Sequence, residues 1–268
     1  MADAVSEGNP REDRRKRPGR WYGFILPVAI LLFWEVAAQT GLAPRLLFPA
    51  PSQVFRALVR LTASGELPMH MAISLRRIGF GFVAGALPGI VLGLAMGWSP
   101  AVRVLADPTV AAMYSIPRLA LFPLLIIVFG LGEPAMVALV ALGMFFPTLI
   151  NSMAGVRSIH EMYFEVAQSY GAGAWKVLTR VVLPGSLPMV FTGLRLALGH
   201  SLVLVIGAEF ISARNGIGGF LWVAWETFRT VHVYAGLVVS ALFGIVFTTG
   251  LRHLERRLLP WAEGLLHR

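Results

Sequence analysis

The sequence predicts an all-α integral membrane protein with six transmembrane helices, and three observations carry that prediction. Of 268 residues, 56% are hydrophobic and 14% charged, with a mean hydropathy of +0.70; a soluble domain carries about a quarter of its residues charged. The apolar residues fall in solid runs near the ~20 residues that a helix needs to cross ~30 Å of hydrocarbon. None of the runs alternates at period two as a membrane barrel would, and an open sheet would leave its edge amides unsatisfied in lipid. A soluble enzyme, a disordered tail and a disulfide-stapled domain are all excluded as readings. The absence of cysteine removes disulfides, thiolate metal sites and cysteine nucleophiles.

The first run, Trp21 to Ala38, holds one charge, Glu35. A basic stretch precedes it, as in a signal peptide, but Glu35, the Trp and Tyr content and the lack of a small-x-small cleavage site favour a retained helix. Residues 39–77 form the longest outside connection. It opens Pro-rich (LAPRLLFPAPSQVF), which predicts no helix before Pro51. Ser52 is placed to cap an amphipathic surface helix over SQVFRALVRLTASG.

The second run, Ile78 to Trp98, is uncharged. Gly81, Gly85, Gly89, Gly93 and Gly97 repeat every fourth residue along it, one shallow groove down a helix face that lets another backbone approach. Packing within one subunit is the expected use, a seam between two copies the other; Pro88 predicts a kink.

The third run, Pro108 to Gly132, contains Arg118 directly after Ile116 and Pro117, where proline should break the helix. Broken helices beside a cavity are where transporters hold solute, so Arg118 is a candidate pathway residue, with snorkelling to an interface as the alternative. The fourth run, Pro134 to Val156, is uncharged, and Asn151 near its end is a second pathway candidate. The fifth, Leu187 to Ala208, carries Arg195 and His200; Arg195 is a third pathway candidate, with an ion pair or carbonyl contact as the alternative, and Glu209 should find a surface bridge to Arg214. The sixth, Thr230 to Leu251, holds His232. This divides the chain into a basic tail (1–20), a membrane domain (21–258) and a short C-terminal tail (259–268).

A net charge of +9 and a pI near 10.9 would suggest nucleic acid in a soluble protein; here the placement of the positives sets topology instead. With six spans both termini share one side, and residues 11–20 (REDRRKRPGR) mark it as cytoplasmic. The inside segments then hold 14 Lys and Arg, the outside segments seven. Arg76 and Arg77, beside an outer helix end, run against the trend. No nucleic-acid partner is expected.

No G-x-x-x-x-G-K-[ST] occurs, so the chain does not cradle a nucleotide phosphate by that route. His160-Glu161 begins like a zinc-protease motif, but Phe164 stands where the second ligand is needed. G-x-S-x-G is absent, the adjacent His200 and Ser201 cannot face each other on a helix, and no two histidines lie four apart. No catalytic residue, metal site or cofactor is expected, which disfavours an intramembrane enzyme.

Residues 157–187 are the best-patterned polar segment. EMYFEVAQSYGAGAWKVLTRVVLP predicts a helix over Glu165–Tyr170, a break at Gly171, and a second, amphipathic helix from Ala172 to Val182 ended by Pro184. Val166, Ala167, Tyr170, Trp175, Leu178, Val181 and Val182 are its apolar members. Two short helices about a glycine make a knob for a soluble partner, or an interfacial helix lying on lipid.

At these residues the sequence resembles the inner-membrane permeases of binding-protein-dependent ABC importers, a MetI-like fold, whose loop reads E-A-A-x-x-x-G-x(9)-I-x-L-P. Glu165, Val166, Ala167, Gly171, Val181, Leu183 and Pro184 fall at the matching spacing, with Val for the second Ala and Val for Ile. LFPAPSQVF, SIPRLALFPLLIIVFGLGE and TGLRLALG look like the sulfonate, taurine, nitrate and bicarbonate branch, which usually has Pro where Arg118 stands. The resemblance implies two permease copies, here a homodimer, on two cytosolic ATPase subunits that receive the loop. Glu165 would meet a basic residue there and Gly171 would supply the bend beside Ala172. It also implies an extracytoplasmic binding protein received by residues 39–70 and 211–231, and a location in the inner membrane. The solute is expected to be a small anion such as a sulfonate, taurine or nitrate, with vitamin-precursor-like solutes open. The rival reading, a secondary transporter or channel without an ATPase, needs inverted repeats, and residues 21–132 and 134–251 show no self-similarity.

Overall fold

A computed structural model describes residues 22–42, 44, 46–212 and 215–262 of the chain, and every described element is helical. The basic tail 1–20, Arg45, Arg214 and the last six residues lie outside the described residues. The chain divides into two compact units, Met1–Gln53 and Val54–Arg268.

In the first unit, α1 runs Tyr22–Gln39 with Pro27 inside it. Its carboxylate, Glu35, accepts hydrogen bonds from the Ser52 backbone N–H (2.9 Å) and from Ser52 Oγ (2.7 Å). Glu35 therefore serves the first turn of α2 (Pro51–Ala63), a helix that starts at Pro51 rather than after a Ser52 cap. Proline fits that position because the first helical N–H has no intrahelical partner.

The second unit takes the rest of α2, which buries Val54, Ala57 and Leu61 along one face. α3 spans Glu66–Trp98 in 33 residues and continues as helix through Pro88. It begins well before the apolar run, so it draws His70, Arg76 and Arg77 into helix. α4 (Pro100–Tyr114), a 3-10 turn (Arg118–Leu121) and α5 (Phe122–Phe129) occupy the third run, bent by 88° at the break. α6 spans Glu133–Arg157. α7 (Glu161–Ser169) and α8 (Ala174–Val177) form the knob; a π turn (Leu178–Val182) leads into α9 (Leu183–Ser212). α10 (Gly216–Glu226) lies between the fifth and sixth apolar runs, within the 211–231 segment, and α11 spans Thr230–Leu258.

Four of these stretches are long and apolar enough to cross a membrane: α3, α6, Ala174–Ser212 and α11. The bent α4/α5 pair makes a fifth if counted as one span, while the apolar stretch Ile25–Gln39 of α1 is shorter.

Three helices make the centre. The glycine row of α3 lies against α6 of the same chain. A Cβ at Gly81 would stand 2.4 Å from Val140 Cγ1, at Gly85 2.1 Å from the Ala141 carbonyl, and at Gly89 2.5 Å from the Phe145 carbonyl. At Gly93 it would meet the Leu149 carbonyl at 2.3 Å, and at Gly97 Val156 Cβ at 2.6 Å. Both residue series rise together, so α3 and α6 run parallel with their backbones in contact. α9 runs antiparallel on α6: Gly143 faces Leu204, Gly193 faces Asn151, and Gly155 faces Ser186 and Met189.

Pro184 does not end the knob. Ala174–Ser212 is one continuous helix, and the reason lies just upstream. A proline ring clashes with the carbonyl four residues back and offers no N–H. The π turn shifts pairing there, the Leu183 N–H reaching the Leu178 carbonyl five residues back, which makes room for the ring.

Candidate functional site

Two places in the second unit concentrate polar function, one at each end of α6.

At the Arg157 end, His160 Nδ1 accepts from the Met162 N–H and starts α7. The helix then closes on a glycine: the Ala172 N–H donates to the Ala167 carbonyl (2.9 Å), and the Gly171 N–H to the Gln168 carbonyl (2.8 Å). Such a paired closure needs a left-handed residue, and Gly171 has φ +69° with open space around it. Backbone conformation, not crowding, requires glycine there. Ala167, Ala172, Leu178 and Val181 pack on a small core of Val156, Val177 and Val182. Glu165 and Val166 stay exposed beside Tyr163, with Tyr170 87% and Trp175 74% exposed. The seven apolar residues of this segment thus split: Ala167, Leu178, Val181 and Val182 anchor the knob, and Val166, Tyr170 and Trp175 cover its surface. Leu183 and Pro184 stand at the junction with α9.

At the Glu133 end lies a charge cluster that sequence reasoning missed. Arg77 of α3, its side chain 2% exposed, donates from Nε and NH2 to both oxygens of Glu133 (3.0 and 2.6 Å). NH1 donates to Glu209 of α9 (2.7 Å), whose side chain is fully buried. NH2 also reaches Asn215 Oδ1 (2.9 Å). Ser74 Oγ donates to Glu209 and accepts from the Ile217 N–H, while the Gly218 N–H donates to Glu209 Oε2 (2.9 Å). Glu209 therefore sits at the start of α10, where free N–H groups favour an anion. Gly216 (φ +84°) and Gly218 permit this approach, since a Cβ on either would come within 2.6 Å of Glu209. Glu209 is thus buried rather than at the surface, and its expected partner Arg214 lies outside the described residues. Arg77 is no loop cation, because α3 carries it inside. A satisfied buried set of this kind ties α3, α6, α9 and α10 at one end of the bundle.

The remaining candidates separate. Arg195 on α9 pairs with buried Glu255 of α11. Asn151 donates to the Pro147 carbonyl and lies half-buried where α6 meets α9. Arg118 sits in the break between α4 and α5, over the rings of Tyr114 (5.0 Å) and Phe146 (5.7 Å).

A bent span, helices joined by glycine-to-backbone contact, and a knob built on the E-A-A spacing together describe a transport subunit. The profile of the "binding-protein-dependent transport system inner membrane component" family matches residues 89–260. The chain belongs to this family. The taurine transport system permease protein TauC of Escherichia coli (strain K12) is 39% identical over 241 residues, 88% of this chain and 87% of that protein. The putative aliphatic sulfonates transport permease protein SsuC of Bacillus subtilis (strain 168) is 34% identical, covering 92% and 91%. SsuC of E. coli (strain K12) is 39% identical, covering 91% and 92%. The chain is accordingly a multi-pass permease subunit of an ABC import system, and such permeases are transport proteins rather than enzymes.

Proposed function

We propose that this permease carries taurine or another small aliphatic sulfonate inward, working as a homodimer of six-span subunits on two ATPase subunits. The observation that supports this most is the exposed knob of α7 and α8. Glu165, Val166, Tyr170 and Trp175 stand exposed about a glycine-closed turn, beyond which the chain continues as helix into α9. A soluble partner gripping that surface moves a membrane-crossing rod directly.

In this reading both termini are cytoplasmic and the loop end, with 157–187, faces the ATPase. The end carrying Arg77 and Glu209 faces the binding protein, which delivers solute to α2 and α10. ATP binding closes the ATPase pair, and the knobs transmit that closure to the spans, which alternate access. Glu165 meets a basic side chain of the ATPase cleft.

Reconstitution tests it. Proteoliposomes containing the permease, its ATPase and a solute-loaded binding protein should take up taurine or an alkanesulfonate only with ATP. Glu165→Lys should abolish the stimulation of ATP hydrolysis by binding protein while the permease still inserts at normal yield. Undiminished stimulation in that variant would refute the docking role.

A further inference from the structure

Two ionisable side chains lie at mid-span with no charged partner among the described residues. Arg118 is half-buried; its Nε is buried without a hydrogen-bond partner, and its neighbours are the rings of Tyr114 and Phe146. His200 is exposed on α9, and its Nδ1–H donates to the Leu196 carbonyl (2.9 Å), which leaves Nε2 as an acceptor in the neutral ring. The antiparallel register of α6 and α9, fixed by Gly143 on Leu204 and Gly193 on Asn151, sets Phe146 level with His200. Arg118 and His200 therefore stand at one depth, near the middle of both helices.

The helix break also lies against the face of α9 that carries His200. A Cβ at Gly207 would stand 3.5 Å from Leu119, the residue after Arg118. Gly207 and His200 lie two turns apart, on one face of α9. Leu119 and Gly199, the chain neighbours of Arg118 and His200, line one open, mostly apolar groove of about 670 Å3 with Val203 and Gly207, and the two ionisable residues flank it rather than line it. Ionisable groups at this depth are costly against lipid and ordinarily face a bundle interior or a wet cavity, and a broken helix beside such a cavity is a recurrent solute site.

We propose that Arg118 and His200 form a solute-contact site at the membrane midplane: Arg118 holds the oxyanion head, and His200 Nε2 accepts from a donor on the same solute. The site rests on the importer reading above and narrows its solute class to aminoalkanesulfonates, zwitterions that present both groups. Neither Arg195 nor Asn151 contributes, since each is already engaged within the helices.

The chain has no cysteine, so Arg118→Cys and His200→Cys can be probed one at a time in the assembled transporter. Each should react with a sulfonate-bearing methanethiosulfonate, and excess taurine should slow the reaction at least fivefold. In uptake, Arg118→Gln should lower transport at least tenfold with ATP hydrolysis still stimulated by binding protein, and Arg118→Lys should recover part of it. His200→Phe should lower uptake of aminoethanesulfonate more than that of ethanesulfonate. Unreactive cysteines, or wild-type uptake by Arg118→Gln, would overturn the site; equal loss on both solutes would overturn the acceptor role. A wild-type transporter that takes up no sulfonate would overturn the solute class proposed above instead.

Discussion

Arg77 and Glu209, 132 residues apart in sequence, meet at 2.7 Å with both side chains essentially removed from solvent. Two carboxylates share that guanidinium, Glu133 through two hydrogen bonds and Glu209 through one, and Ser74 and the α10 backbone complete the shell of Glu209. The arrangement does by side chains what a loop cannot, holding the ends of four helices in fixed register.

Breaking it from one side should be severe. A buried charge left unpaired costs about 3–5 kcal/mol, so Arg77→Met should lower the melting temperature in detergent far more than Arg76→Met, whose parent lies 3.4 Å from Glu133 on the exposed side. Glu209→Gln should fall between them, because the amide keeps hydrogen-bonding capacity. Equal melting of the two arginine variants would refute the structural role.

The glycine row predicts a sharp positional contrast. Gly85→Ala forces a methyl to within 2.1 Å of a backbone oxygen that cannot rotate away, whereas Gly79 has nothing within 4 Å. Overpacking of this kind costs about 1–3 kcal/mol. Gly85→Ala should therefore reduce thermal stability or yield, and Gly79→Ala should match wild type or exceed it.

Two helices close by the same hydrogen-bond pattern with opposite residue choices. α7 closes on Gly171, while α10 closes on Phe228, at φ 54°, with the Arg229 N–H on the Ala224 carbonyl. A side chain in the left-handed region costs about 1–2 kcal/mol. Phe228→Gly should raise stability by about 1 kcal/mol, net of the glycine's own entropy. Gly171→Pro, which can neither reach positive φ nor donate to Gln168, should uncouple ATP hydrolysis from transport. Stimulated hydrolysis at the wild-type level in that variant would detach the bend from coupling.

Sidedness is testable with single cysteines. Ser169 and Ser64 are both exposed, on α7 and after α2. Ser169→Cys should react with an impermeant thiol reagent only in opened cells, and Ser64→Cys in intact spheroplasts. The reverse pattern would invert the topology and remove the knob from the ATPase.

What the sequence made legible is what one helix can show by itself. The apolar runs, the period-four glycines of α3 and the E-A-A spacing are all local, and each is visible without knowing a partner. The Arg77 cluster is assembled from α3, α6, α9 and the start of α10, and each member looks like an ordinary surface residue in its own segment. Its trace was nonetheless present as two anomalies of opposite sign: a pair of arginines on the side that should be poor in them, and a carboxylate ending an apolar run. α10 left no mark in the sequence because it is short and opens with the helix-poor residues GIGG; Gly216 and Gly218 there serve close approach to α9. Pro184 misled because only the π turn before it shows how the helix continues.

That continuous helix, Ala174–Ser212, is a lever arm. Thirty-nine residues at 1.5 Å each extend about 58 Å, so a tilt of about 5° at Trp175 swings the far end by about 5 Å. Glu209, one turn from that far end, is clamped to Arg77 and to α10. In the proposed docking, a push at the knob travels through the π turn at Leu178–Val182 and along α9 to reach the opposite mouth as torque on the clamp, so opening that mouth requires the clamp to travel with the arm.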